Sequence, residues 1–193
     1  MTDAQLIQAS IRGDQNAFRT LVERYQSQVA ATVIGMLGNG QEAEDTGQET
    51  FIRFYQNLRQ FRGESSVATY LTRIAMNLSF NKLKKMRKMQ FRFRQHPENV
   101  EQTIADPDVK SYDNTKEIIQ EALDQLKPEF RAVIVLRFFQ EYSIREIAEV
   151  LSIPQGTVLS RLARAQEKLR VILAPIFGEY HEHKDLQTAD QIV

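Results

Sequence analysis

From Ser143 the chain reads SIREIAEVLSIPQGTVLSRLARAQEKLRVIL, and this spacing of apolar residues admits helices but no strands. Val158, Leu162, Ala165, Leu169 and Ile172 recur every three or four positions, and at about 100° per residue they fall within about 80° of one another. Ahead of them, Ser143 and Glu146 have the S-x-x-E spacing of a capping box, which opens a helix by satisfying its first N–H groups. That short helix would bury Ile144, Ile147, Ala148 and Leu151. Ser152 and Ile153 supply a tight turn, and Pro154 suits the first turn of the next helix, where its missing N–H is not needed. Thr157, Ser160, Arg161, Arg164 and Lys168 then occupy a sector beside the apolar stripe. Short helix, turn and longer helix with a Thr/Ser/Arg face is the layout of a helix-turn-helix. Arginine can pair bidentately with guanine, while the hydroxyls and Lys168 suit phosphates or base edges. A plain helical hairpin with a solvated basic face has the same periodicity; the order of box, turn and basic face favours DNA.

The same helical period runs through the first half. It predicts helices over roughly Ala4–Arg12, Asn16–Leu37, Glu42–Phe61 and Val67–Met89, with Asp14 capping the second and Ser65 or Ser66 the fourth. Gly35 and Gly47 fall inside these segments and weaken them. All five prolines lie at or after Pro97, so none breaks a helix before that point. In the fourth segment Val67, Leu71, Ile74 and Leu78 form an apolar stripe that dissolves after Leu78; its first half should pack and its second half project. Alternating strand patterns are absent. The expected fold is therefore all-α, with two helical modules at 1–95 and 115–175, a linker at 96–114 and a polar, frayed tail at 176–193. A module of some 60 residues buries a small share of its surface and is marginal alone.

Net charge is zero, but the charges are segregated. Residues 1–60 carry 5 basic and 7 acidic side chains, whereas Arg73 to Arg94 carries 8 basic residues and no acid. Residues 96–115 then hold 5 acids against Lys110 alone. A polyanion-binding patch is thus followed by a segment that repels polyanions. With no cysteine, disulfides and thiolate metal sites are excluded. His96, His181 and His183 are too scattered for a confident acid–base or metal centre; the His181/His183 pair in the tail reads as solvated. No apolar run approaches the roughly 18 residues of a membrane span, and the start lacks a signal-peptide pattern. A cytoplasmic setting, no cofactor and no enzymatic activity are expected.

Gly156-Thr157-Val158-x-Ser160-Arg161-Leu162-x-Arg164-Ala165 resembles the region-4 recognition helix of sigma factors of the extracytoplasmic-function (ECF) type, in the sigma-70 family. Three further strings match in the expected order. Gly13-Asp14-x-x-Ala17-Phe18-x-x-Leu21-Val22-x-Arg24-Tyr25 looks like the start of region 2. Ala43-Glu44-Asp45-x-x-Gln48-Glu49-x-Phe51-x-x-x-Tyr55 is similar to region 2.2. Phe61-Arg62-Gly63-Glu64-Ser65-x-x-x-Thr69-Tyr70-Leu71-x-x-Ile74-Ala75-x-Asn77 resembles regions 2.3 and 2.4. Each string is weak; four in order, split by an acidic linker, are specific.

The resemblance implies a sigma region 2 helical bundle and a region 4 helix-turn-helix that give bacterial RNA polymerase its promoter recognition. Asp45, Gln48, Glu49, Phe51 and Tyr55 would dock on the polymerase β′ clamp, although Phe51 and Tyr55 also suit a core. Phe61, Arg62, Gly63, Glu64 and Ser65 match the loop that pockets a base flipped from the −10 element, where a shaped pocket offsets the loss of stacking. Tyr70, Asn77 and Asn81 follow at helical spacing toward the non-template strand, with core packing equally open for Tyr70. Lys82, Lys84, Lys85, Arg87 and Lys88 would neutralise phosphates. Gln155, Thr157, Ser160, Arg161, Arg164 and Lys168 would read the −35 element. The implied partners are core polymerase through its β′ clamp and β flap, promoter DNA and an anti-sigma factor, with no small-molecule substrate. Tyr70 stands where tryptophan is usual, Leu159 and Gln166 where basic residues are common, and Asn81 where aspartate is usual, so the promoter motif does not follow by analogy. A free-standing helix-turn-helix regulator is the alternative.

The acidic linker is expected to lie in the polymerase active-centre or exit channel, mimicking nucleic-acid charge. Replacing its five acids with amides should lower run-off transcription, and an unchanged yield would remove that role.

Overall fold

Side chains placed at the helix starts explain most of the architecture of the computed structural model, which describes residues 1–95 and 115–189, with side chains described for 1–89 and 115–176. The expected linker at 96–114 lies outside the described residues. Helix α1 (Asp3–Ile11) begins with a capping box between Thr2 and Gln5. Helix α2 (Gln15–Leu37) begins where the Asp14 carboxylate accepts the Asn16 and Ala17 N–H groups at 2.9 and 3.2 Å. Helix α3 (Gln41–Gln56) stops short of the expected Phe61. The Asn57 side-chain amide donates to the Arg53 carbonyl at 2.8 Å, and the chain tightens into a 3-10 turn at Leu58–Gln60. Helix α4 (Val67–Gln95) starts at Ser66, whose hydroxyl accepts the Thr69 N–H at 3.1 Å.

These four helices enclose a core of Leu6, Leu21, Val29, Val33, Phe54 and Leu71, all nearly inaccessible. Buried Thr32, Thr50 and Ser79 return their hydroxyls to the carbonyl four residues earlier at 2.8–2.9 Å, so none of these three hydroxyls is stranded.

After the linker come α5 (Thr115–Asp124) and α6 (Pro128–Ile134), which runs on as a π-helical segment Val135–Phe139. Then follow α7 (Ile144–Leu151) and α8 (Gln155–Ala189). The Ser143–Glu146 capping box is formed in both directions, with Ser143 N–H donating to the Glu146 carboxylate at 2.8 Å and Glu146 N–H to the Ser143 hydroxyl at 3.3 Å. Ser152 ends α7 in the left-handed conformation at φ 53°, which turns the chain into α8. Helix α8 passes Pro175 and continues to Ala189, beyond the expected start of the tail.

Helix α4 meets only part of the expectation that its second half projects: Asn81, Lys84, Lys85, Arg87 and Lys88 are exposed, but the opposite side of the helix is packed. Met76 is fully buried, and Phe80 and Leu83 pack against the core that α5 to α8 build. The partner surface comes from residues some fifty positions distant, which periodicity within α4 does not register. Met36 of α2 joins the same core. At this seam a Cβ on Gly35 would stand 2.8 Å from a Val135 methyl, so the absence of a side chain lets α2 and the π-helical segment meet.

Three polar ties flank the seam. The Arg131 guanidinium, 4% exposed, donates to the Met36 carbonyl at 2.6 Å and pairs with Asp124 at 2.8 Å. Burial pulls its pKa below the ordinary arginine value, against the opposing pull of Asp124. Gln28 donates to the Tyr142 hydroxyl at 2.7 Å, and that hydroxyl shares a hydrogen bond with Thr72 at 3.0 Å. Burial raises the Tyr142 pKa, which keeps the proton these bonds need. Arg73 of α4 donates to the Glu149 carbonyl at 3.1 Å and lies 3.6 Å from the Glu149 carboxylate.

Ser143→Ala should lower stability by about 1 kcal/mol in urea denaturation, the usual magnitude for a lost cap. The Ser143 hydroxyl and N–H hold the Glu146 carboxyl below its ordinary pKa. Its contribution is therefore present above the unfolded carboxylate's pKa and fades as pH falls through the lowered folded value. That part of the acid-side loss should shrink in the variant.

Candidate functional site

Helix α8 presents its polar sector outward because its apolar stripe is fully engaged. Val158, Leu162 and Ala165 are buried, and Leu169 and Ile172 pack against the same core. Gln155, Ser160, Arg164 and Lys168 are exposed, and Thr157 and Arg161 are half-exposed. Thr157 to Lys168 share one flank of the stripe, whereas Gln155 falls on the opposite flank at the helix start. The Ser160 hydroxyl donates to the Thr157 carbonyl at 3.0 Å, leaving its lone pairs outward. Leu159, 56% exposed, stands on the solvent side between them. Arg161, Arg164 and Lys168 have no ion-pair partner among the described residues, so their charge is available to an anion.

A second surface forms where the loop after α3 meets α4. Phe54, Phe61 and Tyr70 make an aromatic cluster with ring centroids 5.1–6.3 Å apart, Phe61 standing edge-on to both Phe54 and Tyr70 and the Phe54–Tyr70 pair tilted. Tyr70 is thus half-buried and serves the core as well as the surface. Arg62, Gly63 and Glu64 are exposed and Ser65 half-exposed, with Gly63 at φ +72° turning the loop. The loop, Tyr70, Arg73 and Glu149 line a cavity of about 420 Å³. Along α4, Tyr70, Asn77, Asn81, Lys84 and Lys88 fall within about 60° of one another at helical spacing. Of these, Asn77, Asn81, Lys84 and Lys88 are exposed, as are Lys85 and Arg87. Lys82 differs: it is half-buried and paired with Glu42 of α3.

Helix α3 supplies a third surface of opposite sign. Asp45 and Gln48 are exposed; Gln41 donates to Asp45 at 2.7 Å and Arg53 pairs with Glu49 at 2.8 Å. Both contacts are exposed and worth little energetically. Phe51 is half-buried and, with Val29, Val33, Ala43 and Gly47, lines an apolar groove of about 450 Å³ between α2 and α3. Tyr55, 49% exposed, packs edge-on against Phe18 with centroids 4.8 Å apart.

Of the side chains anticipated from the sequence, Gln155 stands apart on the opposite flank of α8 and Lys82 is paired with Glu42, while the others group on these three surfaces. The residues that sequence reasoning missed are the ones that join them: Arg73 and Glu149 at the loop cavity, and Gln28, Thr72, Arg131 and Tyr142 at the seam. Arg73 is visible only as one member of the basic run, and no local pattern marks the others, because the bonds that join the two modules link residues at least 70 positions apart.

Residues 21–89 match the family described as sigma-70 region 2, and residues 122–171 match sigma-70 region 4. The RNA polymerase sigma-H factor of Pseudomonas aeruginosa is 33% identical over 192 residues, covering 92% of this chain and 96% of that protein. The ECF RNA polymerase sigma factor SigW of Bacillus subtilis is 36% identical over 169 residues, covering 82% and 90%. Among solved structures, CnrH in complex with the cytosolic domain of CnrY superposes with a TM-score of 0.66 at 23% identity, covering 90% of this chain and 97% of that one. The sigma factor RpoE in complex with the anti-sigma factor NepR, from Bartonella quintana, gives 0.62 at 22% identity, covering 81% and 96%. At these identities the structures establish the shared helical fold. Helix-turn-helix geometry, the loop-bounded cavity and family matches over both modules agree, and the chain belongs to the sigma-70 family as an ECF-type RNA polymerase sigma factor, which recognises promoters and initiates transcription.

Proposed function

We propose that promoter recognition is divided among the three surfaces. Asp45, Gln48 and Glu49 of α3, with Phe51 and Tyr55 beside them, dock on the β′ clamp of core polymerase. Phe61, Arg62, Gly63, Glu64 and Ser65 receive an unstacked base of the −10 element, with the aromatic cluster as the floor of the cavity. Asn77 and Asn81 read the exposed strand, and Lys84, Lys85, Arg87 and Lys88 hold its phosphates. Lys82 joins them on release from Glu42. Thr157, Ser160, Arg161, Arg164 and Lys168 enter the −35 major groove, with Gln155 at the edge and the β flap holding region 4 in place. The chain acts in the cytoplasm and without an enzymatic step of its own. The anti-sigma partner in the RpoE structure supports a comparable partner for this chain.

One observation carries this division: two cationic surfaces and one acidic face, from separate modules of a single chain, are all exposed to outside partners. Run-off transcription from a fragmented genome with purified chain and core polymerase tests it. Specific transcripts should appear only with both components. Specific duplex binding by the chain alone, with no effect on polymerase, would instead favour a free-standing regulator, a reading that the region 2 match disfavours.

Arg161→Ala and Arg164→Ala should each weaken −35 recognition by about 1–3 kcal/mol through loss of bidentate base contacts. Competition between promoter variants reads this directly, and unchanged selectivity in both variants removes the assignment. Asp45→Ala with Gln48→Ala should reduce capture of core polymerase while helix content by circular dichroism stays the same. Undiminished capture would place the clamp contact elsewhere.

A further inference from the structure

On the solvent side of α8 stands a leucine among polar and small residues: Leu159 is 56% exposed. Counting about 100° per residue from Val158 in the buried stripe, Gly156, Leu159 and Ala163 fall within about 60° of one another, turned away from the core. All three are exposed. Ser160 and Arg164 border them on one side and Gln155 on the other. With small residues one turn before and one turn after it, the branched end of Leu159 is unscreened. A Cβ built on Gly156 meets nothing within 4 Å, so the helix can come close to a groove at this point. Further along the same sector, Glu167 is paired with Arg170 at 2.8 Å, which mutes its repulsion of phosphates.

A protein partner for such a leucine needs a contiguous apolar patch. Among the described residues, the next exposed large apolar side chain on α8 is Val171, about 18 Å further along the helix axis. The exposed positions between the two are small or polar. A base edge asks for much less. The C5-methyl of thymine is a single apolar group in the major groove, set among hydrogen-bonding atoms, and Leu159 offers the matching pattern of one apolar end set among polar side chains. Gln155 lies one turn earlier on the same flank, where its amide can pair with adenine N6 and N7. This edge of α8 is therefore complementary to A·T, whereas the flank with Arg161 and Arg164 suits guanine.

We propose that Leu159, backed by Ala163, reads a thymine methyl in the −35 element and makes α8 selective for an A·T pair at that position. The inference rests on the −35 reading of α8 above and adds the base that one edge of the helix selects. Covering the methyl removes apolar surface of both partners from water, so the contact discriminates without any charge. Guanine and cytosine present no methyl there, and adenine presents an amino group instead. Uracil pairs as thymine does but lacks the methyl, so it isolates this one contact.

Core polymerase with wild-type chain first selects active promoters from a library randomised over the −35 element. Each −35 thymine of a selected promoter is then replaced in turn by deoxyuridine, and run-off yield is measured at limiting polymerase. At one thymine the missing methyl should lower the yield about three- to fivefold, the effect expected of one buried carbon. Leu159→Ala should transcribe the thymine and uracil templates equally, and Leu159→Arg should move the library's preference at that position from A·T toward G·C. Because Leu159 lies outside the buried stripe, both variants keep the core side of α8 intact. Specific transcripts that no thymine methyl affects overturn the inference while leaving −35 binding by α8 standing, and so does an equal uracil effect in Leu159→Ala. Uniform loss of activity in Leu159→Ala on every −35 sequence, with no uracil effect in the wild type, overturns it in favour of a protein contact. If wild-type chain and core polymerase select no promoter at all, promoter recognition itself is refuted and this contact falls with it.

Discussion

Close approach at Gly35 is the constraint on which the rest of the structure depends. With no side chain at that position, α2 and the π-helical segment after α6 come together, and Val135 fills the space a Cβ would need. The same approach brings the Met36 carbonyl within reach of Arg131 and the Gln28 amide within reach of Tyr142. Met36 and Met76 then belong to one apolar cluster with Leu123, Leu136, Ile147 and Val158. A second module that is small for independent stability gains its missing surface from the first. The price is a buried guanidinium, tolerated because one carbonyl and one carboxylate face it.

Charge follows the opposite logic from packing. Apart from the half-buried Lys82 and the half-exposed Arg161, the cations proposed to meet DNA stay exposed, where desolvation is small and attraction to a polyanion is long-ranged. The acids of α3 lie beside the basic stretch of α4, where Asp45 and Glu49 border the same pocket as Lys82 and Lys85 and Lys82 pairs with Glu42. Net neutrality therefore says little about the partners. Their placement says more: the proposed division gives the acidic face to the polymerase and the basic faces to the duplex.

The helix-turn-helix was legible because all of its signals are local. The Ser143–Glu146 box, the Ser152 turn and the Val158–Leu162–Ala165 stripe lie within about two dozen residues, and each reflects backbone hydrogen bonding or helical periodicity. Exposure of Arg164 and Lys168 follows once the stripe is buried. The α3 boundary was less legible, since Asn57 ends the helix through a side-chain bond that apolar periodicity does not reveal. Tyr70 was open between core and surface, and its ring contacts with Phe54 and Phe61 give it both roles.

By itself the sequence determined the helical period, the caps, the segregation of charge and the order of motifs that marks the family, because these depend on residues a few positions apart. Tertiary structure alone decided that Phe80 and Leu83 are packed rather than projecting, that Gly35 is a contact point rather than a weak spot, and that Glu149 faces Arg73. Those outcomes join residues from opposite sides of the linker. Such pairings arise when two incomplete apolar surfaces find each other, and no periodicity along the chain encodes which residues will meet.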